Sequence, residues 1–81
     1  MSGFSQMPTL GEFIQHAKRL GFKKHTIRDP DLGRITFLRR DRKPEPDLVD
    51  LPPMPEAQRL TRARLEALCA VSGVPKEDFG L

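Results

Sequence analysis

The sequence predicts an α+β domain in two layers, an α-β-β-β-α sandwich with both helices on one face of a three-stranded antiparallel sheet. Two amphipathic stretches near the ends, each opened by a threonine, supply the helices. Between them lie runs that alternate in polarity and flank a turn, which is the pattern of a hairpin. With 81 residues the chain has material for one domain and a thin core.

Helix 1 is predicted over Leu10–Leu20. Thr9 can cap the first turn while Glu12 reaches back to it, a capping box. Leu10, Phe13, Ile14, Ala17 and Leu20 then fall on one face, Lys18 and Arg19 suit the C-terminal dipole, and Gly21 stops the helix. Residues before Thr9 read as a flexible arm over 1–8, leaving 9–81 as the single α+β domain. Strand-like runs follow at Phe22–Arg28 and Arg34–Arg40, with Ile35 and Phe37 on one face and Thr36 and Leu38 on the other. Asp29-Pro30-Asp31-Leu32-Gly33 between them carries turn chemistry, because proline sets φ and glycine accepts positive φ. A polar, proline-bearing loop leads to a short third strand at Asp47–Leu51, ended by Pro52-Pro53. Thr61 is the expected cap of helix 2, with Leu60 and Leu65 placed for a hydrophobic staple. Leu65, Leu68, Cys69 and Val71 form its apolar side, Gly73 stops it, and Lys76-Glu77-Asp78-Phe79 makes a last turn that tucks Phe79 inward. One core is expected to gather Phe13, Ile14, Ala17, Leu20, Phe37, Leu65 and Leu68.

Charge is unevenly spread. From His16 to Lys43 ten cations face three carboxylates, giving +7; the whole-chain charge of +3 therefore leaves −4 elsewhere. Such asymmetry suits either a polyanion partner or an ordinary solvated surface. Within it, Lys23, Lys24, Arg34, Arg39 and Arg40 are the candidate phosphate contacts. With neither Tyr nor Trp, and the Phe residues at apparent core positions, base stacking is not expected. No apolar run approaches the ~20 residues of a membrane span, and the start of the chain lacks the features of a signal peptide. The single cysteine, Cys69, excludes an internal disulfide and suits a cytoplasmic setting. No metal-ligand spacing, phosphate-binding glycine loop or catalytic triad is present, and no cofactor is expected.

The order of elements resembles the HicA toxins, small bacterial messenger-RNA interferases with a fold related to the double-stranded-RNA-binding domain. Three stretches carry the resemblance: the Leu20-Gly21-Phe22 junction into the first strand, the third strand Val49-Asp50-Leu51-Pro52 ending at proline, and the closing segment from Leu60 through Gly73 to Asp78-Phe79. The resemblance covers about residues 9–79 and implies RNA as ligand, ribonuclease activity and an antitoxin-like protein partner. That family places a glycine-serine-histidine triplet, with its catalytic histidine, at the start of the second strand. Here Gly33 is followed by Arg34 and Ile35, so the catalytic position does not carry over. His25 is the candidate substitute if the hairpin register sets it beside Arg34; otherwise it is a polar sheet residue. The expectation is an RNA-binding protein with little or no nuclease activity. The alternative is a protein-interaction module that docks an acidic partner, antitoxin-like or other, through its exposed sheet or its basic patch.

Overall fold

The computed structural model describes residues 6–81. Helix α1 (Leu10–Arg19) leads into strands β1 (Lys23–Asp29), β2 (Gly33–Arg40) and β3 (Asp47–Asp50), then helix α2 (Arg62–Ser72) and a 3-10 turn at Lys76–Phe79. The sheet is antiparallel in the order β1-β2-β3. The α-β-β-β-α order expected from the sequence is therefore the order found. The expected arm falls partly on residues 1–5, outside the described residues. Pro8 is buried, its carbonyl accepts the Leu60 amide at 2.9 Å, and Met7 packs against the core.

Local chemistry explains the boundaries. Thr9 accepts the Glu12 amide at 3.1 Å while the Glu12 carboxylate accepts the Thr9 amide at 2.8 Å, so the capping box forms in full. Thr61 caps α2 by accepting the Arg64 amide at 3.2 Å, and α2 ends at Gly73 in the left-handed conformation. In the hairpin turn, one Asp29 carboxylate oxygen accepts the amides of Asp31 and Leu32, and Gly33 closes the turn at φ 78°.

Both helices pack on the sheet face that carries Leu38 and Val49, cross-strand partners that are both buried. Phe13, Ile14, Ala17, Leu65 and Leu68 join them, with Phe22, Leu60, Val74 and Phe79 closing the rim. Phe79 stacks on Phe13 with ring centroids 5.7 Å apart, so the last turn tucks inward as its sequence suggests.

Two core assignments, Phe37 and Leu20, and one helix-face assignment, Val71, are corrected. Phe37 lies on the opposite sheet face: strand side chains alternate, and the helices cover the face of Thr36 and Leu38, not that of Ile35 and Phe37. Leu20 is 38% exposed because the helix ends at Arg19 and Leu20 occupies the C-cap, off the apolar stripe. Val71 is 64% exposed because the buried stripe of α2 runs Leu65, Leu68, Cys69, Ser72, with Val71 well round the helix. Ser72 takes the inward place at little cost, since its hydroxyl donates to the Leu68 carbonyl at 2.6 Å and accepts the Val74 amide at 3.2 Å.

Candidate nucleic-acid interface

The hairpin register sorts the basic residues onto two faces. Lys23 stands directly opposite Arg39, and Arg28 directly opposite Arg34. Lys23, His25, Ile27, Ile35, Phe37 and Arg39 share the open face; Lys24, Arg28, Arg34 and Arg40 share the face on which the helices lie. The five candidate phosphate contacts are therefore divided between the two sides of one ribbon.

They also differ in how free they are. Lys24 is tied to Glu56. Arg40 is a structural clamp: its guanidinium lies 2.9 Å from the Asp47 carboxylate, donates to the Leu20 carbonyl at 3.3 Å, and sits 4.5 Å above the Phe22 ring. That combination pins the β2–β3 edge over the core. Arg39 reaches Asp41 at 2.8 Å, an exposed contact worth little. Lys23 and Arg34 carry no ion pair among the described residues, nor does Arg28. Arg28 was missing from the candidate set drawn from sequence. The signal that finds it is register: a turn closed between Asp29 and Gly33 makes Arg28 and Arg34 partners.

Two like-charged pairs on one hairpin are unusual in energetic terms. Directly opposed side chains have Cβ atoms about 4.5–5.5 Å apart, and like charges there destabilise the sheet. Among the described residues Lys23, Arg28 and Arg34 have no ion-pair partner, and Arg39 has the exposed Asp41.

His25 is paired with Phe37 in the register, and their rings stack at 5.3 Å with planes 16° apart. It is not beside Arg34, which lies on the other face, three register positions along. The displaced pair of histidine and guanidinium expected as one possibility is therefore not formed through Arg34. Instead His25 shares a shallow groove of about 480 Å³ with Lys23 and Arg39, close to Gly21, Arg40 and Asp41. No hydrogen bond orients its ring among the described residues, and no second proton-transfer group stands next to it in the groove except the exposed Asp41. His16 belongs to the fold: its ring is 2.8 Å from the Asp78 carboxylate and packs edge-on against Phe79, so it fastens the last turn to α1.

Cys69 is buried, and burial pushes its thiol up, with the Asp78 and Glu77 carboxylates adding to the shift. Glu66 is paired with Arg62 and Asp78 with His16, so no acidic site forms from them. Among the described residues no three His, Cys, Asp or Glu side chains converge as metal ligands do, and no helix is long and apolar enough to cross a membrane. Comparison of the chain with models of known families, with curated proteins and with solved structures gives no match.

Proposed function

We propose that this chain is a small RNA-binding protein of the HicA-like kind that works through its β1–β2 hairpin, with weak or no ribonuclease activity. The observation that carries the reading is the pair of opposed cation couples, Lys23 with Arg39 and Arg28 with Arg34, on the two faces of one hairpin. A ligand that straddles the ribbon meets both; phosphodiester backbones of structured RNA offer that reach, and RNA helices are recognised mainly by shape and phosphate contact. Lys24 and Arg40 contribute field rather than contacts, since their charges are held internally.

The test is the salt dependence of binding to a structured RNA. Each phosphate neutralised adds about 0.7–0.9 to the slope of log affinity against log salt. Arg28→Glu with Arg34→Glu, and separately Lys23→Glu with Arg39→Glu, each flatten the slope. Unchanged slopes in both double variants would remove the hairpin from the interface.

A second reading is favoured by a different observation. The open sheet face exposes Ile27 and Leu48, at 51% and 58%, beside the half-buried Ile35 and Phe37. A contiguous apolar strip of this kind marks a protein-docking surface, and Lys23 and Arg39 at its end suit an acidic partner of the antitoxin-like kind. A partner protein retained by wild type and by the Arg28→Glu, Arg34→Glu variant, but lost with Ile27→Thr and Leu48→Thr, would establish it.

A further inference from the structure

On the helix side, beneath the far end of the hairpin, lies a cleft of about 530 Å³. Its floor is Leu10 and Ile14 of α1, one wall is β2 at Arg34–Thr36, and the other is the segment from Leu51 to Glu56. Pockets of this size hold small organic groups. The far wall is stiff for reasons legible in the chain. Pro52, Pro53 and Pro55 fix three φ angles. The Leu51 amide donates to the Thr36 carbonyl at 3.1 Å, and the Gly11 amide to the Glu56 carbonyl at 2.8 Å, so both ends are bonded to the body. Gly11 permits that approach, because a Cβ there would meet the Glu56 carbonyl oxygen at 3.2 Å. The segment from Leu51 to Glu56 is thus held at both ends, which lowers the ordering cost of binding there.

The cleft's electrostatics are one-sided. Glu56 is the only carboxylate in the lining, and it is already paired with Lys24. Arg34 therefore sets the sign at the mouth, backed by Arg28 directly opposite it. The Thr36 hydroxyl, 3.4 Å from that of Thr26, adds a polar group that both donates and accepts. A slot lined by aliphatic and proline side chains together with Thr36 and Arg34, with Arg28 across the register from Arg34, matches a flat base that carries an anionic backbone.

We propose that this cleft receives one unpaired nucleotide of the bound RNA, its base in the slot and its phosphate on Arg28 and Arg34. This rests on the RNA reading above and goes further: it makes the preferred ligand a helix interrupted by a bulge or loop, not a continuous duplex. The Met54 and Leu51 side chains contact the base, the arginine pair holds the adjoining phosphate, and duplex on either side meets the rest of the hairpin.

The experiment compares two RNA hairpins that differ by one bulged nucleotide, a fluorescent adenine analogue whose emission rises when it leaves the stack. Wild type should bind the bulged hairpin about tenfold more tightly than the paired one, a difference of ~1.4 kcal/mol, with a rise in emission. Leu32→Ala and Met54→Ala should each reduce that preference and the emission change while leaving affinity for the paired hairpin unaltered. Leu32 is 75% exposed at the mouth, so its variant keeps the fold even if the Met54 variant does not. Equal affinity of wild type for both hairpins, or a preference that survives Leu32→Ala and a folded Met54→Ala, would overturn the cleft assignment while leaving the RNA reading intact. Binding to neither hairpin would overturn both.

Discussion

Where the resembled family continues its glycine with serine and histidine, Gly33 is followed by Arg34 and Ile35, and the cross-strand partner of Arg34 is another arginine. Replacing Arg34 tests whether that repulsion is kept for a ligand. Arg34→Glu should raise stability, by a few tenths of a kcal/mol within the ~0.2–1 kcal/mol range of cross-strand pairs, since both groups are exposed and screened. The same change should weaken RNA binding. Urea melts and RNA titrations read the two effects, and a variant that loses stability, or keeps full affinity, contradicts the assignment. Arg40 behaves in the opposite sense. Arg40→Ala gives up its bonds to Asp47 and to the Leu20 carbonyl and its contact with Phe22, a loss of about 2 kcal/mol that appears in the melt. The carboxylate in the groove with His25 is the exposed Asp41, which is already paired with Arg39, and arginine is too basic to carry the proton. Long RNA incubated with the wild-type protein should therefore stay intact; cleavage abolished by His25→Ala but not by His16→Ala would show a relocated active site. Cys69 adds a pH effect. Its thiol is raised in the fold, so its contribution is fully present below the ordinary thiol value of about 8.5 and fades as pH rises from there through the folded value. Denaturant midpoints taken across that interval should fall, and the fall should shrink in Cys69→Ala.

At the scale of elements, the helices separate what sequence shows from what it hides. Leu65 is fully buried and Leu68 nearly so, and Leu65→Ala should cost ~2–5 kcal/mol. Leu20→Ala and Val71→Ala, on the exposed positions, should each change stability by about 0.5 kcal/mol or less. A Val71→Ala loss as large as that of Leu65→Ala would return Val71 to the core and refute the observed helix face. Thr9 with Glu12, Thr61, Gly73 and the inward Phe79 were all legible, because caps and stops are written in neighbouring residues. Phe37 and Val71 were not. Which face of β2 the helices cover is decided by packing at long range, and both faces offered apolar residues. Val71 sits beside a stripe completed by a serine, whose polarity hides its inward place until its bonds to Leu68 and Val74 are seen. The candidate site was legible in composition only. The cations were visible in the sequence, but their division between two faces, the pairing of Arg28 with Arg34, and the employment of Lys24 and Arg40 within the fold all follow from register.

The whole molecule sets two unlike surfaces on either side of a thin sheet. On the helix side the hairpin ends in Arg28 and Arg34 above a stiff-walled cleft; on the other side Ile27, Ile35, Phe37 and Leu48 form an uncovered strip. A domain this small has a stability near the low end of the ~5–15 kcal/mol range, so exposed apolar residues are not retained for folding. The open strip and the cleft should therefore be separable by mutation. Ile27→Thr with Leu48→Thr removes exposed methyl groups that support no core, and threonine keeps the branched shape that β1 favours. The double variant should melt within about 0.5 kcal/mol of wild type. Its affinity for bulged RNA should be unchanged, because neither residue lines the cleft or stands on its face. Arg28→Glu with Arg34→Glu should lose RNA affinity while leaving the open face as it is. The decisive comparison is RNA titration of both double variants at one salt concentration. If the threonine variant loses RNA affinity as the glutamate variant does, RNA covers the apolar strip as well as the cation couples, and the strip is not a separate protein-docking surface. If only the glutamate variant loses it, the uncovered strip is free for a protein while RNA is bound.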